Sequence, residues 1–535
     1  MTGYAAVKAP FRPGISGLAW GRQRPDESTA KTQETAINNI APLPAATGTA
    51  AGSTRSVSAE AIAALARRAG ALDIALHTVQ VSVGGEEVAH AVCDPLGLDT
   101  PQRMYSVAKT VTGLAIGMLA DEGALSLDDP VMRHFPEMAP VHPWLEATTI
   151  RHMLAMRGPH RSTTYKLTAG SWLESYFRVP PTHPPGTVFT YDTSASYTLA
   201  ALTERLTGTS LPDYLRPRLL DPLGISPGLR FLTGPEGISH GGSGLVCTPR
   251  DLLRLAHLLL DDGVHDGARL LPAEYLRDAL SPQADTTLQT SDVVLRGGYG
   301  YQLWLPRPGS WLLFGLGGQI VYGDPARGLA VVVTADAQAC ESGHERLLDD
   351  VLERLVDPLV DRLDAGPDGV DSLDAAVEDV RLGADVPAVR LPWRAPPHDA
   401  THARPVGGRY VNVVDGPGPA ELVLSLDDGG GRLRTVGSPT PAGGPEVELR
   451  FDGPVRTHVD DQPAVVTAGW TGLDTLDVRC ALLGDELATW RARLAWADDG
   501  TLAVQSQVFG ESTEQAWTFH AAYRPAPVHG ENGVM

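Results

Sequence analysis

A serine and a lysine three residues apart stand at the start of a strongly apolar segment, in the stretch MYSVAKTVTG. Residues three apart on a helix lie on the same face, so the spacing predicts that Ser106 and Lys109 touch. A serine hydroxyl is a poor nucleophile until a base removes its proton. A lysine becomes that base only if burial or a neighbouring cation lowers its pKa from about 10.4 towards 7–8. The pattern therefore indicates a pair for nucleophilic catalysis.

The use of lysine in this chain favours that interpretation. Only Lys8, Lys31, Lys109 and Lys166 occur, and the other permanently charged basic residues are arginines, which do not deprotonate in proteins. Lys109 belongs to the apolar run AKTVTGLAIGMLA, where a lysine is costly unless it is paired or neutral. The alternative is a lysine whose stem lies on apolar surface while its amine reaches solvent.

A second Ser-x-x-Lys, Ser28 to Lys31, lies in the polar sequence DESTAKTQET. No apolar stripe follows it, so nothing there would desolvate the amine. We therefore expect this pair to have no catalytic role.

Two more segments follow SVAKTVTGLAIGMLADEGALSLDDPV in order. They are PGTVFTYDTSASYTLAALTERLTGTSLPDYLRPRLLDPLGI, and GYGYQLWL together with LFGLGGQIVYGDPARGLAVVVTAD. These three blocks resemble the serine β-lactamase, penicillin-binding protein and esterase superfamily. The most similar branch is the class C-like one, which includes 6-aminohexanoate-dimer hydrolases and related esterases. The resemblance covers roughly residues 57–363.

The resemblance implies roles for three residues. Ser106 matches the nucleophile that becomes acylated, and Lys109 matches its partner base. Tyr191, in Tyr191-Asp-Thr193, matches the tyrosine that passes a proton to the leaving group. We expect a proton-sharing amine nearby to lower the pKa of this phenol. A core tyrosine with a satisfied hydroxyl is the alternative for Tyr191.

The sequence departs from the superfamily pattern at two positions. Thr193 replaces an asparagine and is a candidate substrate contact. In the third motif, many members have a lysine or histidine that helps hold a substrate carboxylate. Here the motif falls on Leu313-Phe314-Gly315, and the other possible register, Leu316-Gly317-Gly318, has no cation either, which argues against β-lactams and cell-wall peptides. Gly315 of the same motif is present, and is a second candidate contact. The resemblance also implies an oxyanion hole made by the backbone N–H groups of Ser106 and Leu316, worth on the order of 3 kcal/mol per donor.

Two histidines are further candidates for the substrate cleft. They are His160, in MRGPH, and His240, in SHGGSGL, although lone histidines are more often structural. No HExxH or phosphate-loop motif is present. The four cysteines show no zinc or disulfide spacing. We therefore expect no metal and no cofactor.

Composition limits the partners of the protein. The formal charge of −21 argues against nucleic acid, which needs a clustered positive face. The N-terminus lacks the pattern of a secretory signal, and no apolar run approaches the roughly 18–20 residues that span a bilayer. We expect a cytoplasmic protein without a membrane partner, whose substrate is a small ester or amide.

Hydrophobic patterns divide the 535 residues into four parts. Residues 1–56 form a leader rich in Ala, Thr, Gly and Pro, and 57–365 form the catalytic domain. Residues 366–405 form a linker rich in Asp, Gly and Pro. Residues 406–535 contain short alternating strands, such as GRYVNVV and EVELRFDG, which predict a small antiparallel β-barrel or sandwich without a convergent set of catalytic side chains.

Local patterns within residues 57–365 predict the elements that carry the site. SAEAIAALARRAGA is typical of a helix capped by Ser56 or Ser58. IALHTVQVSVGGEEVAHAV predicts two strands around a Gly-Gly turn, and GYGYQLWL, WLLFGLGGQIVYGD and GLAVVVTAD predict further strands. HERLLDDVLERLVDPLVDRL is a long amphipathic helix. With a helical insert at 125–300, the order predicts an α/β, β-lactamase-like sandwich with an antiparallel sheet and a separate helical subdomain.

The function these observations favour is a metal-free serine hydrolase that forms an acyl-enzyme on Ser106. The alternative is an acyltransferase of the same fold, which passes the acyl group to an amine or alcohol. A third hypothesis is a catalytically silent binding protein that keeps the scaffold. Retention of Ser106, Lys109 and Tyr191 together argues against the third.

Overall fold

The computed structural model describes residues 54–288, 292–365, 386, 388–413, 418–437, 446–459, 462–511 and 517–527. Residues 1–53 of the predicted leader, with Ser28 and Lys31, and residues 366–385 and 387 of the predicted linker lie outside the described residues. The described residues all belong to one unit of the chain, Ala46–Met535.

Short 3₁₀-helical and π-helical turns lie between the α-helices that the structure describes. In chain order they are α1 (Thr54–Ala71), α2 (Ala108–Asp121), α3 (Pro143–Glu146), α4 (Ile150–Leu154), α5 (Trp172–Arg178), α6 (Thr193–Thr207), α7 (Leu211–Leu215), α8 (Pro249–Leu260), α9 (Ala273–Ala279), α10 (Gly343–Val351) and α11 (Asp357–Ala365).

The strands fall into an N-terminal and a C-terminal group. The first group is β1 (Ala75–Val83), β2 (Glu86–Val92), β3 (Gln102–Tyr105), β4 (Arg230–Phe231), β5 (Leu245–Cys247), β6 (Val264–His265), β7 (Ala268–Arg269), β8 (Trp311–Gly315), β9 (Gln319–Asp324), β10 (Leu329–Asp336) and β11 (Ala388–Arg390). The second is β12 (Val406–Asn412), β13 (Glu421–Leu426), β14 (Gly430–Val436), β15 (Glu446–Arg450), β16 (Val455–Val459), β17 (Gln462–Gly472), β18 (Thr475–Leu483), β19 (Leu487–Trp496), β20 (Leu502–Gly510) and β21 (Phe519–Pro525).

A six-stranded sheet in the order β11-β2-β1-β10-β9-β8 forms the centre of the N-terminal domain. Strand β10 is buried along its whole length, which explains its nearly continuous apolar sequence, LAVVVTAD. The predicted hairpin is confirmed: β1 and β2 pair antiparallel around Gly84 and Gly85, whose φ angles are 57° and 82°. Only β11 runs parallel to its neighbour, and it lies within the stretch 366–405 that the sequence predicts as linker.

Helices cover both faces of this sheet. Apolar side chains of α1, α10 and α11 pack on one face, while α2 and the helices of residues 143–279 form the core on the other face. The predicted long C-terminal helix is confirmed, with a wider π-type turn at 352–356 between α10 and α11. The fold is the predicted α/β sandwich with an inserted helical region.

Two local predictions are wrong. Helix α1 begins at Thr54, so Ser56 and Ser58 lie inside it and neither is the N-cap; the Ser58 hydroxyl donates instead to the carbonyl of Thr54. The segment GYGYQLWL forms isolated bridges and no regular strand. Its backbone N–H groups at Tyr301 and Gln302 donate to carbonyls at the ends of helices α9 and α4, because the chain crosses the helices there.

The C-terminal strands form a ten-stranded antiparallel sheet that closes nearly into a barrel, as predicted. Its order is β15-β14-β13-β12-β21-β20-β19-β18-β17-β16, so the sheet's two edge strands are neighbours in sequence. Alternate side chains fill the interior, with Trp470 and Tyr523 the largest fully buried ones. The barrel and the N-terminal domain are joined by ion pairs of Asp73 with Arg479 and Arg491 of the barrel, and Arg394, which precedes the barrel, pairs with the same carboxylate.

Candidate active site

Ser106 lies in the turn between strand β3 and helix α2. All four residues of β3 are buried, and the strand pairs with β5, so the chain reaches the turn along a well-packed path. The carbonyl of Ser106 accepts a hydrogen bond from the N–H of Lys109 at 3.1 Å. Helix α2 begins at Ala108 and is buried through Leu119. Ser106 therefore precedes a buried helix, one turn before Lys109.

The Lys109 amine is buried and has three polar neighbours. Its Nζ lies 3.1 Å from Ser106 Oγ, 3.2 Å from Thr193 Oγ1 and 2.6 Å from the carbonyl oxygen of Gly242. Lys109 is 1% exposed, so it does not reach solvent. Burial lowers the pKa of Lys109 to about 7, although the negative charges of Glu511 and Asp192 act in the opposite direction.

The three neighbours of Nζ suit a neutral amine. A neutral amine has two N–H donors and one lone pair, whereas the charged form has three donors and no lone pair. The Gly242 carbonyl can only accept, and the Thr193 hydroxyl can accept the second N–H. In the neutral form, this leaves the lone pair for the Ser106 hydroxyl, which can donate its proton. This arrangement lets Lys109 act as a base toward Ser106.

Tyr191 contacts both members of the pair. Nζ of Lys109 lies 4.7 Å from its ring centroid, and the Ser106 side chain lies close enough to lower the pKa of its hydroxyl in part. The ring stacks on Trp304 at 5.6 Å and 21°. Burial raises the pKa of Tyr191 above its usual value, and the Ser106 side chain offsets this only in part. The predicted lowering of this pKa is wrong, so the phenol stays protonated at neutral pH and can donate.

Tyr191 and Thr193 flank Asp192, whose carboxylate is the N-cap of helix α6. Asp192 Oδ1 accepts a hydrogen bond from the N–H of Ser194 at 2.8 Å. Burial raises the pKa of Asp192 to about 7, and hydrogen bonds from Ser194 and the charge of Lys109 lower it in part. The Asp192 carboxylate therefore fixes the start of helix α6 between Tyr191 and Thr193, the two residues that face the site. The sequence patterns did not single out Asp192, although Asp before an apolar helical run is a common N-cap.

Gly242 is a second residue that the sequence patterns did not single out. A Cβ atom on Gly242 would lie 2.5 Å from Cγ2 of Thr193 and 2.8 Å from its carbonyl oxygen, distances that exclude any side chain. The glycine lets the turn before β5 approach α6 closely enough for its carbonyl to reach Lys109. The only signal in the sequence is the paired glycine of SHGGSGL.

The end of strand β8 lies against the segment that precedes Ser106. A Cβ atom on Gly315 would lie 2.4 Å from the carbonyl oxygen of Met104, so only glycine fits there. Leu316 follows directly, and its carbonyl accepts a hydrogen bond from Gln319 Nε2 at 3.2 Å. The two predicted oxyanion donors are the backbone N–H groups of Ser106 and Leu316. Ser106 comes after Met104 and Leu316 comes after Gly315, and these two backbone segments touch. Leu313 is buried and supplies no cation.

The two candidate histidines have different surroundings. His160 Nε2 lies 2.8 Å from the carbonyl oxygen of Tyr176 in α5, and burial lowers the pKa of His160 to about 4, which is typical of a neutral structural histidine. His240 belongs to the turn of Gly242, and burial lowers its pKa to about 3, with Lys109 adding to the effect. Its ring packs edge-on against Tyr165 and Trp172. His240 lies beside the site, in an aromatic cluster of the helical region.

No group of three or more His, Cys, Asp or Glu side chains able to hold a metal ion occurs in the part of the chain that the structure describes. Helices long and apolar enough to cross a membrane are likewise absent from the described residues. The four cysteines are unpaired.

A comparison of the sequence with known protein families agrees with this arrangement of Ser106, Lys109 and Tyr191. The Beta-lactamase family model matches residues 59–353, which is more than half of the chain. The chain belongs to the Beta-lactamase family. The resemblance seen in its motifs is therefore confirmed. The match ends before β11, so the C-terminal barrel of this Beta-lactamase family member lies outside the family domain.

Relatives in the family are distant. Protein Rv1367c of Mycobacterium tuberculosis is 27% identical over 239 residues, covering 34% of this chain and 59% of that protein's length. The 6-aminohexanoate-dimer hydrolase of Paenarthrobacter ureafaciens is 24% identical over 275 residues, covering 46% of this chain and 69% of the hydrolase. Among solved structures, EstCE1, described as a hydrolase with promiscuous acyltransferase activity, has a TM-score of 0.47 and 17% identity over 56% of this chain and 99% of that one.

Proposed function

We propose that the protein is a serine hydrolase that cleaves an ester or amide of a small molecule through an acyl-enzyme on Ser106. The observation that carries the proposal is the buried amine of Lys109, 3.1 Å from Ser106 Oγ, with its pKa lowered to about 7. At neutral pH, a large fraction of this amine is uncharged. A neutral amine with its lone pair toward a serine hydroxyl is a general base already in place.

In the acylation step, Ser106 Oγ attacks the substrate carbonyl carbon while its proton moves to Nζ of Lys109. The carbonyl oxygen becomes an oxyanion, which the N–H groups of Ser106 and Leu316 would stabilise. The tetrahedral intermediate collapses by breaking the bond to the leaving group, which takes the phenolic proton of Tyr191. The proton held by Lys109 then restores the phenol, and the acyl group stays on Ser106.

In the second step, water attacks the acyl carbonyl carbon and releases the acid. One proton of the water returns to Ser106 Oγ as the ester bond breaks, with Lys109 carrying it between the two oxygens. No group is consumed over the cycle. The hydrolase named among the relatives acts on 6-aminohexanoate dimers, and an amide or ester of comparable simplicity suits the same chemistry here.

Leu313 narrows the substrate class. It is buried, and it stands at the position where a cation would hold a substrate carboxylate. Without that cation, a carboxylate beside the scissile bond would lose its hydration without gaining an ion pair. We therefore propose substrates that are neutral at this position, and exclude β-lactams and cell-wall peptides as good substrates.

Acyl transfer to an amine or alcohol is the second candidate. It shares the acylation step and differs in the acceptor. The burial of Lys109 and the partial burial of Tyr191 favour it, because a site that excludes water prolongs the life of an acyl-enzyme and gives another acceptor time to react.

Intact-mass measurement with p-nitrophenyl acetate tests both candidates. We expect an adduct of one acetyl group on Ser106 that is absent in Ser106→Ala. Hydrolysis regenerates the free enzyme with acetate alone, whereas a transferase yields the acetylated acceptor when an amine or alcohol is added. Failure of several short p-nitrophenyl esters to form an adduct, in a folded protein, would favour the catalytically silent binding protein and contradict the proposal.

A further inference from the structure

The tyrosine directly before Ser106 is attached to the C-terminal barrel. Tyr105 is fully buried, and its φ angle of 45° is unusual for a residue other than glycine. Its hydroxyl accepts a hydrogen bond from the N–H of Leu487 at 3.0 Å and donates to the carbonyl of Leu487 at 3.3 Å. Leu487 is the first residue of β19, so both bonds come from the turn between β18 and β19.

A second connection starts at Arg103, two residues earlier on β3. Its Nε donates to the carbonyl of Ser243 at 3.1 Å, next to the Gly242 carbonyl that binds Lys109. Its other nitrogens donate to the carbonyl of Asp485 at 3.3 Å and to Oε2 of Glu511 at 3.0 Å, both in the barrel. One guanidinium group thus holds the turn that positions Lys109 and two segments of the barrel.

A third connection fixes the same barrel turn from the sheet side. Gln338 Nε2 donates to the carbonyl of Leu487 at 2.7 Å, and Thr489 Oγ1 donates to Oδ2 of Asp336 at 2.6 Å. Gln338 and Asp336 lie at the end of β10. The β18–β19 turn is therefore held between β10 and β3, directly behind the segment that carries Ser106.

We propose that the barrel is part of the catalytic apparatus, in which Tyr105 and Arg103 are positioning residues. The β18–β19 turn and Glu511 hold the backbone of Tyr105–Ser106 and the turn of Gly242 in the geometry that joins Ser106, Lys109 and Gly242. Strained backbone persists only where surrounding contacts over-determine it, and the two bonds from Leu487 supply those contacts at Tyr105. This inference rests on the proposed function of Ser106 and Lys109.

The first test compares Tyr105→Phe with Tyr523→Phe in the full-length protein. Tyr523 is also a fully buried tyrosine, and its hydroxyl donates to the carbonyl of Pro419 at 3.1 Å inside the barrel, so this control loses a comparable bond away from the site. We measure kcat and KM with p-nitrophenyl acetate and the rate of labelling by a fluorophosphonate. We expect Tyr105→Phe to lower kcat and the labelling rate about 10–100-fold with KM within about twofold, and Tyr523→Phe to change neither rate.

A second test removes the charge of Glu511. It tests the participation of the barrel even if Tyr105→Phe does not fold. The ionisable groups that face Lys109 come from three parts of the chain: Tyr191 and Asp192 at the start of α6, Lys166 and His240 in the helical region, and Glu511 in the barrel. Glu511 raises the pKa of Lys109, so Glu511→Gln lowers it. We expect the acid limb of kcat/KM to move about half a pH unit downward. In the control Asp452→Asn, an exposed barrel carboxylate paired with Arg450 is removed, and the limb stays in place.

Three outcomes are distinguishable. A folded Tyr105→Phe that keeps kcat within about twofold of wild type overturns the positioning role, even though Ser106 is still labelled. If Tyr105→Phe does not fold, an acid limb unmoved in Glu511→Gln overturns the participation of the barrel. Wild-type protein that is not labelled at Ser106 at all contradicts the proposed function itself.

Discussion

Two effects compete at the Lys109 amine. Removal of the amine from water disfavours its charged form, while nearby carboxylates favour that form. Among the described residues, no carboxylate forms an ion pair with Lys109, and the charges of Glu511 and Asp192 act only at longer range. Burial therefore dominates, and the pKa falls to about 7. Arginine at this position would keep its charge at any working pH.

The pH dependence of activity follows from this pKa. In the proposed mechanism, deprotonated Lys109 is the active form, so kcat/KM for p-nitrophenyl acetate should rise with pH through about 7 and level off above it. Well below that value, it should fall about tenfold per pH unit. Tyr191, whose pKa is raised by burial, keeps its proton and should add no loss up to about pH 10. Initial rates, corrected for spontaneous hydrolysis, measure the profile; a flat profile between about pH 5.5 and 8.5 contradicts it.

Two backbone segments complete the site at the scale of elements. The turn before β5 brings the Gly242 carbonyl to Lys109 at 2.6 Å, and the end of β8 lies against Met104 through Gly315. Both of these close backbone contacts are possible because Gly242 and Gly315 have no side chain. Helix α2 carries Lys109 on a buried face, but these two segments determine which polar atoms surround its amine and Ser106.

Replacement of Gly242 by alanine tests the first segment. The new Cβ would meet Thr193 at 2.5 Å, so the turn must move and the Gly242 carbonyl must leave Lys109. We expect kcat to fall about 100-fold or more in a protein that still unfolds cooperatively. Gly228→Ala is the matched control, because its Cβ would meet nothing nearer than Ser226 Oγ at 3.5 Å. Equal activities of the two variants would show that the turn does not position Lys109.

The chemistry of β8 predicts poor turnover of β-lactams. Leu313 offers no charge for a substrate carboxylate, so nitrocefin should have a kcat/KM at least about 100-fold below that of a short p-nitrophenyl ester. Absorbance assays with both substrates on one enzyme preparation measure the ratio. Comparable values for the two substrates would contradict the substrate class proposed from Leu313.

At the scale of the whole molecule, the barrel and the N-terminal domain meet through charged side chains around Asp73. Burial alone would raise the pKa of Asp73. A hydrogen bond from Arg479 and the charges of Arg479, Arg491 and Arg394 together outweigh burial, so the pKa of Asp73 lies below its usual value. A carboxylate whose pKa is lowered in the folded state stabilises that state above its unfolded pKa and loses this effect as pH falls through its folded pKa.

Asp73→Asn should therefore lower the free energy of unfolding by about 1–3 kcal/mol at pH 7, because it leaves the arginines without their carboxylate in a half-buried contact. The difference from wild type should shrink as the pH falls below about 4. Thermal unfolding at several pH values measures this. Asp452→Asn, in an exposed pair with Arg450, is the control and should cause no measurable change. A pH-independent difference for Asp73→Asn would contradict the electrostatic explanation.

The sequence predicts most structural features that depend on residues close together in the chain. The hairpin around Gly84–Gly85 and the proximity of Ser106 to Lys109 both follow from local spacing. The alternation of GYGYQLWL suggested a strand because hydrophobic pattern does not reveal where backbone hydrogen bonds go. In the fold, they go to helix ends, and Gly300 lies against the Ala279 carbonyl.

The remaining site contacts have no local signal. Gly242 acts through a backbone carbonyl, which every residue possesses, so its side-chain type indicates only the space available. Tyr105 and Leu487 are 382 residues apart, and their contact depends on how the barrel meets the sheet. The raised pKa of Tyr191 depends on burial in the assembled fold. Such features follow from tertiary packing and not from spacing.

The most direct test of the central claim is Lys109→Arg, measured as kcat for a short p-nitrophenyl ester with Ser106→Ala and Tyr191→Phe alongside. Arginine keeps the positive charge and much of the aliphatic length, but its pKa stays far above any working pH, so it cannot take the Ser106 proton. We predict that folded Lys109→Arg loses about as much activity as Ser106→Ala, and that Tyr191→Phe falls by a smaller factor of about 10²–10⁴. A folded Lys109→Arg that keeps more than about a tenth of wild-type kcat would contradict the role of Lys109 as the general base.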